Sequence, residues 1–434
     1  MDVLIIIHLP PFIDNYILHM KKRKIFLFLL VSSCICYSVS SKASDSTLTI
    51  PAGTTALQTT YIQNDINYCK SSTGGGTVRL KGGAGNSDTF ITAPICLKSN
   101  VTLRIDSGVT LLGDPTMADW TVGGTLYALL YTSGTNTNIT ITGRGTIDGN
   151  GKPWWDAFNA NANLTRPYLI KPSNVTNLTI DSVTITNSPM FHVEPTQCTN
   201  VIIDHVTINT SDTTHNTDGI DPSVCKNVLI TNCSISDGDD CIAIKSGRIG
   251  GNLVAGACQD ITVANCTFGY GHGVSIGSET DNGFVNLRVT GCTFTNTTNG
   301  IRVKSYPGAG GLCQNLYYSN ITMTGVTNPI VIDMDYSGDV GSYSTDNPSV
   351  YGLYINNLTS TGSSNDGTIT GTASSLVQNI NFSNVSLKTK SGGTANMTIA
   401  YAAGVKFSNV TINGSAASNG TNVITTNVTG TSGF

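Results

Sequence analysis

A strand-like tetrapeptide recurs along this chain, and it constrains the fold more than any other feature. Each copy starts with Asn, Asp or Gly, and most then alternate apolar and polar residues with the periodicity of a β-strand. The copies start at positions 100, 138, 177, 200, 227, 260, 286, 315, 352, 379 and 404. From position 177 onwards the intervals between starts range from 23 to 37 residues. This repeat predicts a solenoid, in which each coil contacts only its neighbouring coils.

Two columns of equivalent positions support the stacking of coils. Six residues after the start of a copy comes the first column, Val183, Val206, Cys233, Cys266, Cys292 and Ile321. Two residues before a copy comes the second column, Cys198, Cys225, Cys258 and Cys313. Such columns predict an all-β fold, a single-stranded right-handed parallel β-helix with buried cysteine ladders. Neighbouring cysteines of a ladder could form disulfide bonds, but a sequence alone cannot assign the pairs.

The N-terminal part of the chain departs from the repeat. Residues 56–70 predict a short helix with Leu57, Tyr61, Ile62 and Ile66 on one face, and we expect it to cap the first coil. Before it, the basic residues 21–24 precede an apolar run and then small residues, which is typical of a secretory signal starting at Met20. We therefore expect residues 1–41 to be a targeting segment, residues 42–434 to be one β-helix domain, and the protein to be secreted.

Composition excludes several classes of protein. Charged residues make up only 12% of the 434 residues, and the pI of about 5.8 argues against a nucleic-acid-binding protein. The apolar run at residues 25–31 is too short to span a membrane, so we expect no stable membrane association. We expect a monomer. Asn-x-Ser/Thr sequons permit glycosylation, although the repeat itself generates many of them.

A second strand follows each copy about 13 residues later, and its positions are of two kinds. The inward positions are apolar in every coil: Phe191, Ile220, Ile242, Val274, Ile301 and Ile330. The outward positions include His192, Asp221, Lys245, Ser275, Arg302 and Lys304, and just before the strands lie Asp218, Asp239, Asp240 and His272. Because adjacent strands lie about 4.8 Å apart, these groups should gather on one face. In a chain with so little charge, we expect a functional site there rather than a solvated polar face.

The acids and cations of this face indicate a type of chemistry. Three carboxylates that close cannot all ionise freely, so one should hold a proton near neutral pH. A protonated acid beside an ionised one is what glycoside hydrolysis needs. A calcium site is the competing interpretation, but Arg302 and Lys304 count against it and favour an anionic ligand. Lys245 lies in the column of Lys304, and the pair predicts a polyanionic chain as substrate.

Four motifs on successive coils resemble those of the polygalacturonases of glycoside hydrolase family 28. They are Asn216-Thr217-Asp218, Gly238-Asp239-Asp240, Gly271-His272-Gly273 and Arg302-Val303-Lys304, in the order of that family. The resemblance covers nearly all of residues 47–410 and is closer to the bacterial-type branch than to the fungal one. Val303, where Ile is common, is a mild departure. The resemblance implies a hydrolase of α-1,4-galacturonosyl linkages in polygalacturonate and pectin, which inverts the anomeric configuration and needs no metal or other cofactor.

The resemblance assigns roles to two sets of residues, one catalytic and one substrate-binding. The implied catalytic set is Asp239 as general acid, Asp218 and Asp240 as activators of the water, and His272 as support for the acid. The substrate-binding set is Asn216, Arg302, Lys304 and Tyr336, to which the outward positions add Lys245 and His192. The spacing of the acids is in tension with inversion, because neighbouring coils bring them closer than the roughly 6.5–9.5 Å usual for inverting enzymes.

Other functions on the same scaffold remain open. We expect an endo-acting enzyme, but an exo-polygalacturonase or a rhamnogalacturonan hydrolase is the nearest alternative, because loops that close the groove decide between them. A lyase would produce a conjugated double bond and lose activity with a calcium chelator. A non-catalytic pectin-binding β-helix is the most distant alternative, since it would retain pectin without releasing reducing ends.

Overall fold

The fold is available as a computed structural model that describes residues 44–72, 74–247, 256–338 and 346–434. The described residues form one compact unit. The expected targeting segment, residues 1–41, lies outside the described residues. Within the described ranges, no helix has both the length and the apolar character needed to cross a membrane.

Three parallel sheets run along this unit, and most coils contribute one strand to each. Strands of the first sheet are Ser46–Leu48, Gly76–Leu80, Val101–Ile105, Asn136–Thr142, Val175–Asp181, Thr199–Asp204, Lys226–Thr231, Cys258–Ala264, Phe284–Thr290, Leu312–Thr324, Ser349–Asn365, Val377–Thr394, Met397–Ile412 and Val423–Thr429. Strands of the second sheet are Thr89–Thr92, Thr110–Gly113, Thr146–Asp148, Thr184–Thr186, Thr207–Asn209, Ser234–Ser236, Thr267–Phe268 and Thr293–Thr295. Strands of the third sheet are Ile95–Leu97, Leu130–Thr132, Ile170–Lys171, Ile242–Ile244, Val274–Gly277, Asn299–Lys304, Asn328–Asp333 and Thr368–Thr370.

The pairings confirm the predicted right-handed parallel β-helix. Strands of successive coils pair in parallel and in register, as where Val201 faces Val228 and Val228 faces Ile261, with shifts only near the end of Ser349–Asn365 among the described strands. From Leu312 onwards, single long strands run from the first sheet into the second. Two short antiparallel pairs complete the strands: Thr121–Val122 with Thr125–Leu126, and Ser415–Ala416 with the end of Met397–Ile412.

The first residue of each repeat has a specific conformational role. Asn177, Asn200 and Asn227 have φ values of 64°, 57° and 55°, in the left-handed region that Asn tolerates better than most residues. Their side-chain amides stack, since Asn200 donates to Asn177 at 2.9 Å and Asn227 donates to Asn200 at 2.8 Å. Where the repeat starts with Gly352 or Gly404, φ is again positive. The repeat therefore marks one kink of the backbone that recurs in every coil.

The core confirms the predicted cysteine ladders. The fold has three sheets, one more than the two strands per coil that the sequence indicated. The ten described cysteines are all buried and free, so the ladders stack thiols without disulfide bonds among the described residues. The column that begins at Val183 leads into the second sheet, whose strands are mostly two to four residues long. We predicted two strands per coil because strands this short show no periodicity of their own.

Two helices of the described part of the chain flank the coils. Helix α1, Thr59–Ser71, lies at the N-terminal end as predicted, but its buried face is Ile62, Ile66 and Cys69. The predicted Tyr61 is 62% exposed, because it is one residue before Ile62 and lies about 100° round the helix from the buried face. The predicted Leu57 is 39% exposed and precedes the helix. Helix α2, Lys152–Ala160, and a 3-10 turn, Met117–Trp120, were not predicted. They pack by an edge-to-face contact of Trp120 with Trp154 at 5.9 Å.

Candidate active site

A cleft of about 580 Å³ lies on the outer face of the third sheet, lined by residues between Tyr168 and Gly338. The predicted residues that line it are Asn216, Asp218, Asp239, Lys245, His272, Arg302, Lys304 and Tyr336. Asp240 lies beneath them, fully buried. Because equivalent positions of successive coils lie above one another, the cleft brings together side chains up to 120 positions apart in the sequence, from Asn216 to Tyr336.

Asp239 is the member of the acid trio most accessible from the cleft. Its side chain is 22% exposed, against 5% for Asp218 and 1% for Asp240. One carboxylate oxygen lies 3.2 Å from Nδ1 of His272 and accepts the N–H of Asp240 at 2.9 Å. The other oxygen lies 3.5 Å from the side-chain amide of Asn216. Asp239 is thus the carboxyl group that a ligand in the cleft can reach directly.

Asp240 is held by donors on both oxygens. Ser275 Oγ donates to one oxygen at 2.7 Å, and Arg302 lies 3.4 Å from the same atom. Lys304 Nζ donates to the other oxygen at 2.7 Å. Burial alone would raise the pKa of Asp240, but the charges of Lys304 and Arg302 lower it to about 2. Asp240 is therefore ionised at any pH at which the protein is expected to work.

Asp218 has the opposite electrostatic environment. Burial raises its pKa well above the ordinary range, and the nearby carboxylates of Asp221 and Asp239 raise it further. Lys245 opposes these effects, with its Nζ 3.8 Å from Asp218 and 3.2 Å from Asp221. Burial likewise raises the pKa of Asp221 to about 7. Of the two buried acids of the trio, Asp218 is therefore the one whose surroundings favour the protonated form, and Asp240 is the one whose surroundings favour the ionised form.

The cations of the cleft lie around Tyr336. The guanidinium carbon of Arg302 is 5.5 Å from the centre of the Tyr336 ring, and Lys304 Nζ is 5.8 Å from it. The backbone N–H of Tyr336 donates to the carbonyl of Ser305, which fixes the residue just beyond the strand of Lys304. A ligand ring that carries a carboxylate and packs against Tyr336 would lie close to both Arg302 and Lys304.

Glycines on either side of His272 allow the close approach of neighbouring coils. Gly271 has φ of 102°, and a Cβ there would lie 2.5 Å from a carboxylate oxygen of Asp237. Gly273 has φ of 70°, and a Cβ there would lie 2.2 Å from the carbonyl oxygen of Asn299. A side chain at either position would therefore separate the coil of His272 from a neighbouring coil.

The prediction that His192 binds substrate is wrong. Its ring is fully buried, where Nδ1 contacts the carbonyl of Asp218 at 3.0 Å and Nε2 contacts Thr210 Oγ1 at 2.7 Å. Burial lowers its pKa to about 4, so the ring is neutral. His192 instead supports the backbone of Asp218 from below.

An error of two residues in aligning one coil explains this mistake. Val193, not Phe191, pairs with Ile220. The residue before Val193 therefore falls at the buried corner ahead of the third sheet, as Cys241 does before Ile242. Phe191 lies in the cleft instead, with the ammonium of Lys245 4.8 Å from its ring centre.

The sequence analysis also missed Arg166, which orients a residue of the cleft. Its guanidinium donates to Asn216 Oδ1 at 2.7 Å and to the carbonyl of His215 at 2.7 Å, and it stacks on Phe158 at 3.8 Å. Because Arg166 takes the amide oxygen, the amide nitrogen of Asn216 faces Asp239. Arg166 comes from a loop outside the repeat, so no column indicated it.

The cleft also contains a set of possible metal ligands. Asp239, Asp240 and His272 offer ligand atoms within 4.8 Å of one another. Two of the four oxygens of Asp239 and Asp240 face His272, and Lys304 and Arg302 already neutralise Asp240. The oxygens of Asp240 are thus already paired with protein cations, and such a group of residues does not fit a dedicated divalent-cation site.

A parallel β-helix with acids and cations in one cleft has the groups that hydrolysis of a glycosidic bond requires. Comparison with known proteins agrees: the model of Glycosyl hydrolases family 28 matches residues 87–406. The chain belongs to this family and is a glycoside hydrolase.

Individual relatives show how far the likeness extends. An endo-polygalacturonase from Pectobacterium carotovorum subsp. carotovorum is 36% identical over 330 residues, which cover 70% of this chain and 79% of that protein. The solved polygalacturonase from Erwinia carotovora ssp. carotovora has a TM-score of 0.63 at 28% identity and covers 89% of this chain and 99% of its own. The family 28 exopolygalacturonase from Yersinia enterocolitica has a TM-score of 0.74 at 20% identity, covering 90% of this chain and 78% of its own, which is a likeness of fold.

Proposed function

We propose that this protein is a secreted, endo-acting polygalacturonase that hydrolyses α-1,4-galacturonosyl linkages in polygalacturonate and pectin. The observation that carries the proposal is the pair of cations, Arg302 and Lys304, beside Tyr336 and within reach of the acid trio. A ring bound there would present its carboxylate to the cations and its glycosidic oxygen to Asp239. Secretion, a monomeric state and the absence of stable membrane association are part of the proposal.

The chemistry would be a single displacement at the anomeric carbon. Asp239 gives its proton to the glycosidic oxygen as the bond from that oxygen to the anomeric carbon breaks. A water attacks the same carbon from the opposite side, and Asp240 together with Asp218 takes the proton of the water. The products are two shorter chains, one of which carries the new reducing end.

We infer inversion although the acids are close. Carboxylate oxygens of Asp239 and Asp240 lie within 4.8 Å, nearer to the roughly 5–5.5 Å of retaining enzymes than to the spacing of inverting ones. A retaining enzyme needs a carboxylate free to attack the sugar. Asp240 has Ser275, Arg302 and Lys304 on its oxygens, which favours a role in holding water. Proton NMR of the first product formed would detect the α-anomer for retention and the β-anomer for inversion.

Digestion of polygalacturonate with sizing of the products over time tests the function. Internal cutting yields a ladder of oligomers with an early fall in viscosity, whereas release of monomer alone would replace the endo proposal by an exo-acting enzyme. Rhamnogalacturonan as a second substrate tests the other alternative. New ultraviolet absorbance would indicate a lyase, and retention of pectin without new reducing ends would indicate a non-catalytic binding protein.

Lys245→Met is expected to move the acidic limb of the pH profile of kcat to higher pH. Lys245 lowers the pKa of Asp218, so its loss raises that pKa further, and Asp218 then releases its proton only at higher pH. Since a protonated Asp218 cannot accept a proton from water, kcat should fall much more on the acidic side of the pH profile than on its alkaline side. Lys245→Arg keeps the charge and should leave the limb near its original position. An unmoved limb in Lys245→Met would remove Asp218 from the role of base.

A further inference from the structure

Another aspartate lies beside the acid trio and has no part in the proposed hydrolysis. Asp237 is fully buried, directly after the second-sheet strand Ser234–Ser236. Its Oδ1 accepts the backbone N–H of Asp239 at 3.2 Å, whereas its Oδ2 has no hydrogen-bond partner among the described residues. Because a buried polar atom without a partner is costly, a carboxyl group at this place calls for an explanation.

The bond between Asp237 and Asp239 defines the turn that carries two of the catalytic acids. An aspartate side chain that accepts the N–H two residues later forms an Asx-turn, which fixes the backbone between the two residues. The Asp239 carboxylate at the end of this turn accepts the N–H of Asp240 at 2.9 Å, and the Asp239 carbonyl accepts the N–H of His272 at 2.6 Å. Asp237 thus begins a chain of hydrogen bonds that ends at His272.

Asp237 also fills the space between two neighbouring coils of the site. A Cβ at Gly271, the residue before His272, would lie 2.5 Å from its Oδ1. A Cβ at Gly219, the residue after Asp218, would lie 2.9 Å from its Oδ2. The side chain therefore lies against the backbone that carries His272 on one side and the backbone that carries Asp218 on the other.

The surroundings of Asp237 favour a neutral side chain. Burial raises its pKa well above the ordinary range, and the carboxylates of Asp240 and Asp239 raise it further, against the opposing effect of the N–H of Asp239. Asp240 differs, because Lys304 and Arg302 favour its ionised form. An asparagine, which is neutral and has the same shape, should therefore replace Asp237 closely.

We propose that Asp237 is a positioning residue, which holds the carboxyl group of Asp239 where it meets both His272 and the glycosidic oxygen. The inference rests on the proposed function and extends it to a side chain that is not exposed to the cleft. Without the acceptor on Asp237 the turn would be free to shift, and a small displacement of a reacting group lowers kcat strongly. Arg302 and Lys304 lie outside the turn, so binding of the substrate carboxylate should change little.

Asp237→Ala and Asp237→Asn test the positioning role together. The alanine variant loses the acceptor, and its kcat on polygalacturonate is expected to fall about 30-fold, with KM within about twofold of wild type. The asparagine variant keeps Oδ1 as an acceptor and should recover kcat to within about threefold of wild type. Asp148→Ala is the matched control, because Asp148 accepts the N–H of Asn150 at 2.8 Å in an Asx-turn outside the cleft lining. It should keep wild-type kcat.

A crystal structure of Asp237→Ala provides a measurement that needs no substrate. The distance of 3.2 Å between the Asp239 carboxylate and Nδ1 of His272 should lengthen by about 1 Å. The proposal would be overturned by an unchanged distance, by an alanine variant that melts at a lower temperature yet keeps wild-type kcat, or by an asparagine variant as impaired as the alanine one. Failure of the wild type to hydrolyse polygalacturonate would instead overturn the proposed function, and the crystal structure would still test the positioning of Asp239.

Discussion

Asp239→Asn is expected to lower kcat on polygalacturonate by about 10³-fold and to leave the fold intact. The amide cannot give a proton to the leaving oxygen. Its Oδ1 can still accept the N–H of Asp240, the bond that the carboxylate accepts at 2.9 Å. Reducing-end release measures kcat, and circular dichroism during heating measures the fold.

Two further measurements separate loss of acid catalysis from loss of binding. An oligogalacturonide with an aryl leaving group needs little protonation, so the variant should lose far less activity on it. Asp156→Asn, at a side chain 63% exposed on α2, is the matched control and should keep wild-type kcat. If Asp239→Asn retained more than about a tenth of wild-type kcat, the acid role would move to another carboxyl group, with Asp218 the first candidate because its pKa is raised.

The sequence predicts which side chains of each coil face the core and which face outwards, and the reason is physical. Each repeat starts with a residue that tolerates a left-handed backbone, and the third-sheet strands from Ile242 to Asp333 bury Ile or Val at alternate positions. A shift by one residue would bury Arg302 and Lys304, so alternation fixed the face of these two cations. Asp240 and His272 share a different column, two residues before the paired Ile242 and Val274. The cleft was therefore predicted from the pattern of apolar residues before any chemistry was considered.

The parts that the sequence did not predict lie where the repeat is interrupted. Arg166 and Tyr168 come from the segment between α2 and the next third-sheet strand, which has no counterpart in later coils. The coil of His192 has isolated bridges at Val193 and Thr196 in place of a strand, so alternation could not fix its alignment. Electrostatic differences within the acid trio depend on burial and on the reach of Lys245 and Lys304, neither of which a linear pattern contains.

Lys304→Met is expected to lower kcat/KM on polygalacturonate by at least about 100-fold, through two separate effects. Met has a similar length but no charge, so the substrate carboxylate loses a partner. Asp240 also loses the donor at 2.7 Å from its Oδ2, and its pKa, now about 2, should rise because burial is then opposed mainly by Arg302. Both the binding of the anionic ring and the ionisation of Asp240 should therefore weaken.

The two effects can be measured separately, which makes the prediction specific. Loss of the substrate contact raises KM at every pH, whereas the raised pKa of Asp240 lowers kcat only as the pH falls towards that pKa. Lys226→Met is the matched control, because Lys226 is exposed on the first sheet and should keep wild-type kinetics. Lys304→Arg restores a cation and should recover part of the loss in KM. A Lys304→Met enzyme with wild-type KM would contradict the assignment of Lys304 to the substrate carboxylate, and with it the main reason for an anionic substrate in this cleft.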